Sequence, residues 1–315
     1  MDTVATSIDD ATGGVKIEFT VPYDNSSPVD YYFIEISNKA GTTWTEDTTN
    51  CNGQSQTIID QLYCIVPMSV LTANPYDYVF QDTVIVRISA HNTYGFGDAS
   101  DPNGSGGAIR QLPDIMPSPT LVSKTETEAE VQWSTLTAPN NGDSDIIEYQ
   151  LYYDNGSGTP NIKIASGLIT SYTVSGLSIS NTYEFVVKAV NIYGEGPESA
   201  IPLSMIPSDK PGQVDIVSIS LSGTEVHINW NAPNDHNSAL TEYDIQIMKS
   251  DGTFDTHADC DGTDATIKSD TECFIEMLDI PALTGQSVGD LIQAKVKAKN
   301  ANGWGEYSNL NVAGQ

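Results

Sequence analysis

Apolar side chains recur at every second position in six stretches of this chain. They are Val15, Ile17 and Phe19; Val84, Val86, Ile88 and Ala90; Val131 and Trp133; Tyr183, Phe185, Val187 and Ala189; Val226, Ile228 and Trp230; and Ile292, Ala294, Val296 and Ala298. A period of two sends alternate side chains to opposite faces of an extended backbone, so these stretches predict half-buried β-strands. They form three pairs, each with an early and a late strand. After each early strand a proline is followed ten residues later by a tyrosine, at Pro22 and Tyr32, Pro139 and Tyr149, and Pro233 and Tyr243. Each late strand runs into one loop pattern, Asn92-Thr-Tyr-Gly-Phe-Gly-Asp-Ala-Ser100, Asn191-Ile-Tyr-Gly-Glu-Gly-Pro-Glu-Ser199 and Asn300-Ala-Asn-Gly-Trp-Gly-Glu-Tyr-Ser308. No helical period accompanies them. A motif met three times predicts one fold built three times.

Together the aromatic early strand, the Pro-led loop, the tyrosine beyond it and the Asn-led loop resemble fibronectin type III domains, over essentially the whole chain. The resemblance implies three tandem seven-stranded Greek-key β-sandwiches, an all-β architecture that by itself fixes no function. In the middle unit Leu177 followed by Tyr183 resembles the tyrosine corner of such sandwiches. The outer units depart from it, with Val84 and Ile292 at that position.

Proline-flanked segments, Leu112-Pro-Asp-Ile-Met-Pro117 and Ile206-Pro-Ser-Asp-Lys-Pro211, mark the boundaries. Proline fixes φ and removes a donor, so these segments predict stiff junctions rather than tethers. The expected organisation is a semi-rigid rod of units at 1–113, 114–207 and 208–315. A chain of 315 residues and 33.9 kDa agrees with several cores rather than one.

Units one and three place 73 and 70 residues between the early aromatic (Phe19, Trp230) and the loop asparagine, against 58 in unit two. That surplus holds all four cysteines, as Cys51-Asn-Gly with Cys64 and Cys260-Asp-Gly with Cys273, at one common spacing. Equal spacing at equivalent places predicts disulfides Cys51–Cys64 and Cys260–Cys273, each stapling a hairpin or loop, and with them an oxidising, extracellular setting. A zinc site is disfavoured, because His91, His227, His236 and His257 are scattered over unrelated segments. The paired cysteines, with Gln81-Asp82 and Gly289-Asp290 before the late strand, also resemble tandem repeats of ciliate and other protist surface proteins. Asn25-Ser-Ser, Asn103-Gly-Ser and Asn155-Gly-Ser are N-glycosylation acceptors in turn-like contexts.

The net charge of −29 is spread as −10, −8 and −11 over the three units. Such a polyanion repels phosphate backbones and anionic lipid head groups, which excludes nucleic-acid and membrane-surface binding. No apolar run reaches the length of a membrane span. Met1 is followed by Asp2, not by a basic and then apolar leader, so secretion would use a signal already removed.

Catalysis requires a constellation of groups, and none is legible. The glycines at 95, 194 and 303 follow strands without opening a helix, so they are no dinucleotide fingerprint. Carboxylate pairs such as Asp143 with Asp145 follow from composition alone. No cofactor is expected; calcium is the alternative, at Asp259-Cys-Asp-Gly-Thr-Asp264, whose oxygens suit a hard cation although the EF-hand spacing is absent.

Phe96 and Trp304, between the two loop glycines of units one and three, are the candidate interaction residues, with Trp44 beside them. A large aromatic at a loop tip needs cover, from a partner or from its own sandwich end. The expected function is a non-enzymatic, secreted or cell-surface structural or adhesive element that self-associates head to tail into a filament. The alternatives are a receptor-like ectodomain recognising a protein or glycan through its loops, and the spacer of a larger extracellular enzyme.

Overall fold

The computed structural model describes residues 4–285, 287 and 289–313. The predicted strands are all present, paired antiparallel in six sheets. In unit one Val4–Ile8, Val15–Phe19 and Tyr63–Val66 form one sheet. Trp44–Thr45, Tyr31–Ser37, Val86–Asn92 and Gly95–Phe96 form the other. Unit three repeats this plan, with Ser218–Ser222, Glu225–Asn229 and Glu272–Glu276 opposite Phe254–Asp255, Glu242–Met248, Ala294–Asn300 and Gly303–Trp304. In unit two Thr120–Lys124, Glu128–Gln132 and Ser171–Ser175 face a larger sheet of Ile162–Gly167, Ile146–Tyr153, Tyr183–Asn191, Gly194–Glu195 and Leu203–Met205.

Alternation decides which face is inside. Val15, Ile17, Val86 and Ile88 are fully buried in the first core, Val131, Phe185 and Val187 in the second, and Val226, Ile228, Ala294 and Val296 in the third. The tyrosines ten residues after the prolines are buried in all three. Phe19 meets Tyr32 at a centroid distance of 4.7 Å and Trp230 meets Tyr243 at 5.2 Å. Aromatic pairs of this kind add to the area they bury.

The cysteine insertions differ from the expected hairpin or loop. Each carries a short helix, Gln56–Gln61 or Ala265–Asp270, ended by a left-handed residue, Leu62 or Thr271, before the strand that holds the second cysteine. Six-residue helices are too short to show a hydrophobic period, which is why none was legible. Cys51 is bonded to Cys64 and Cys260 to Cys273, with Cα separations of 5.2 and 5.3 Å.

The middle unit has its tyrosine corner. The Tyr183 hydroxyl accepts the Ser178 amide proton (3.0 Å). In unit one the short helix Met68–Leu71 occupies this region, and the hydroxyl of Tyr78 accepts from the Ile85 amide (3.0 Å) and bonds the Ser37 hydroxyl (2.9 Å). In unit three the helix Ile280–Thr284 follows the strand that holds Cys273. Tyr183→Phe leaves the Ser178 amide without its acceptor and is expected to cost unit two about 1 kcal/mol, read by denaturant unfolding together with faster hydrogen exchange at Ser178.

Candidate functional site

A side-chain amide carries two N–H donors and an acceptor oxygen, so one asparagine can join three backbone groups. The loop asparagines do this at equivalent places. Asn191 Nδ2 donates to the carbonyls of Gln111 (2.8 Å) and Asn141 (3.0 Å), and its Oδ1 accepts from the Tyr193 amide (2.9 Å). Asn300 Nδ2 donates to Asp209 (2.7 Å) and Asp235 (3.1 Å), and its Oδ1 accepts from Asn302 (2.8 Å). One carbonyl of each pair belongs to the junction with the preceding unit and the other to the unit's own Pro-led loop. Asn92 makes the same three bonds, yet both its carbonyls, Asp24 (3.3 Å) and Ser27 (3.2 Å), lie in its own Pro-led loop. Asn191 and Asn300 are buried, and Asn92 is half-buried.

Around Asn191 and Asn300 the loops of one unit meet the turns of the unit before it. Tyr193, at the tip of its hairpin, packs against the first core, and its hydroxyl donates to the Gly13 carbonyl (2.9 Å) in the first turn of unit one. Burial pushes the Tyr193 hydroxyl pKa up, against the opposing pull of Arg110 and with a further push from Asp10. Gln81 donates across the same junction to Asp143 (2.9 Å). At the second junction His236 lies 3.0 Å from Glu126 in the first turn of unit two, and Asn237 donates to the carbonyls of Ile179 (3.1 Å) and Pro207 (3.2 Å). Asn302, the counterpart of Tyr193, donates to Ser208 (3.0 Å) and Asp209 (2.9 Å).

The aromatics singled out from the sequence lie elsewhere. Phe96 and Trp304 are not at loop tips but on the sheet face, paired with His91 and Lys299. The reason is the hairpin itself, because Asn92 pairs with Gly95 and leaves only Thr93 and Tyr94 to turn, at a glycine with φ 118°. Phe96 packs on Tyr31, Phe33 and His91, and half-buried Trp304 lies under the ammonium groups of Lys297 and Lys299. Trp44, also half-buried, is covered by Arg87, whose guanidinium stands 4.3 Å from the ring. The tips are Tyr94, Tyr193 and Asn302. Their place between asparagine and glycine in the repeat was the signal that could have found them.

Asn25 and Asn155 are exposed in turns. The expectation for Asn103 is corrected, because it is buried and its Nδ2 donates to Thr6 Oγ1 (3.0 Å), Val84 O (2.9 Å) and Ser105 O (3.2 Å). A glycan on that nitrogen would displace all three bonds. The carboxylates between Asp259 and Asp264 diverge, since Asp261 binds Thr263 while Asp264 caps the helix at 265–270. His257, Asp259 and Asp279 instead bring ligand atoms within 4.8 Å of one another at the surface.

The fibronectin type III domain model matches residues 117–203. Rat usherin is 31% identical over 134 residues, 42% of this chain and 3% of usherin. Human neogenin is 30% identical over 177 residues, 53% of this chain and 11% of neogenin. Chicken protein sidekick-1 is 22% identical over 282 residues, 79% of this chain and 12% of the relative. The chain thus spans a small part of these relatives' length. The crystal structure of chicken CNTN1 FN1-FN3 domains covers 98% of this chain, and the chain covers 94% of that structure, at 18% identity and a TM-score of 0.38. The chain carries fibronectin type III-type domains related to those of animal proteins, and the resemblance to protist repeats draws no support from these relatives.

Proposed function

We propose that this chain is a semi-rigid extracellular rod of three fibronectin-type-III-like sandwiches, 1–113, 114–207 and 208–315, serving as a structural or adhesive element. The observation that carries the reading is the repeated asparagine, which in units two and three ties the hairpin to both the junction and the Pro-led loop. Two junctions closed in one way hold three sandwiches in a defined series, which suits a spacer or adhesive strut better than independent modules on tethers. The disulfides stiffen the outer units, and the exposed Asn25 and Asn155 are its proposed glycan sites. The resemblance of the paired-cysteine units to protist surface repeats rests on their motifs alone. End-to-end association into a filament is the finer part of this reading.

Small-angle scattering tests it. Strands of about ten residues at about 3.4 Å each give roughly 35 Å per unit, so the expected maximum dimension is roughly 100 Å with little interdomain spread. A compact particle, or a broad distribution of dimensions, overturns the rod.

A further inference from the structure

We propose that the loop end of unit one, centred on Tyr94, is a junction surface of the same kind as the two internal ones, and that it receives the first turn of unit three from a second copy of this chain. This rests on the rod reading and goes beyond it by naming the two surfaces that meet.

Positional equivalence comes first. Tyr193 and Asn302 are half-buried against what precedes their units, whereas Tyr94 at the same hairpin position is 87% exposed. Tyr23, on the Pro-led loop beside it, is 84% exposed. Tyr23 and Tyr94 line one open surface with His91 and Phe96. Aromatic side chains left uncovered at adjoining positions mark an interaction surface, and tyrosine is the residue that unit two already uses for this contact. Asn92 needs no foreign carbonyl, so this end keeps its shape before a partner arrives.

The occupant is read from the other side of the junction. Tyr193 docks at a left-handed glycine, Gly13 (φ 73°), so closely that a Cβ there would come within 2.9 Å of the ring. The corresponding turn of unit two, Thr125-Glu126-Thr127, contains no glycine. That of unit three has one, Gly223 (φ 65°), and a Cβ there would meet nothing within 4 Å. Beside it Leu278 is 89% exposed, next to Met277, whose amide donates to Thr224 O (2.9 Å). Unit three therefore presents an uncovered glycine turn with an apolar neighbour, matching the shape that receives Tyr193 in unit one. The contact joins unlike surfaces, so it propagates into an open filament unless its rotation closes a ring.

Charge opposes it. Asp24, Asp30 and Asp98 stand at one end and Glu276 and Asp279 at the other, on protomers of net charge −29. Association should therefore strengthen as salt screens the repulsion.

The test is sedimentation velocity on the full chain across protein concentration at low and high salt. The wild type is expected to form concentration-dependent oligomers that grow with salt. Tyr94→Ala and Leu278→Ser, both at exposed positions, are each expected to weaken association by about tenfold or more. Mixing the two variants restores one good contact per pair, so dimers return but no longer oligomers form. A self-complementary interface would not be rescued in this way. A monodisperse wild type at high concentration and salt, or a mixture without dimers, overturns the inference. An extended monodisperse particle leaves the rod reading standing, whereas a compact one removes that reading itself.

Discussion

Gly53→Ala is expected to destabilise unit one by about 3 kcal/mol or more, and Gly262→Ala to do the same in unit three. These glycines close the Cys-x-Gly motif that the outer units share. The Gly53 carbonyl accepts the Tyr32 amide proton (3.0 Å) and the Gly262 carbonyl that of Tyr243 (3.0 Å). A Cβ on either glycine would overlap the carbonyl of the same tyrosine. The neighbours cannot yield cheaply, because both tyrosines are buried in their cores and a disulfide anchors the chain two residues before each glycine. Relief would require moving a central strand or giving up the hydrogen bond, which together cost about 3 kcal/mol. For a domain near one hundred residues that lowers Tm by about 10 °C or more, measurable by calorimetry. Gly104→Ala, where a Cβ would enter open space, serves as the control and should change Tm little. Equal loss in all three variants would show that close approach is not the reason for glycine.

Asn191→Ala is expected to cost about 2–4 kcal/mol and to loosen the first junction. It leaves the carbonyls of Gln111 and Asn141 without their donor and the Tyr193 amide without its acceptor. An unmatched buried polar group costs about 1–3 kcal/mol, with water recovering part of it at a partly open junction. Asn300→Ala should loosen the second junction in the same way. Asn92→Ala should weaken unit one without changing the angle between units, since both carbonyls it serves lie in its own Pro-led loop. Scattering separates the outcomes, with a broadened range of dimensions for Asn191→Ala and Asn300→Ala and an unchanged one for Asn92→Ala. An unchanged distribution for all three would remove the asparagine from the account of stiffness.

Repetition, alternation and the cysteine spacing were legible along the chain because each is a relation between residues near one another in sequence. A period of two at Val84, Val86 and Ile88 reports one buried sheet face, wherever that sheet sits in the molecule. Cysteines at one spacing in two equivalent insertions imply their own pairing. The loop asparagine stood out as a repeated letter, but its work depends on carbonyls 80 and 91 positions away.

Tertiary structure alone decided the rest. Asn103 looked like a loop acceptor because its neighbours are glycine and serine, yet the fold turns its amide toward Thr6 and Val84. A place between glycines predicts Phe96 and Trp304 as tips, but a two-residue turn lays them along the sheet and lifts Tyr94 instead. A backbone path converts sequence position into direction, and one residue of register exchanges the side chain that faces the sheet for the one that faces a partner. Local pattern determined what each unit is, while contacts between distant carbonyls, turns and tips determined how the units are joined and which surface is left uncovered.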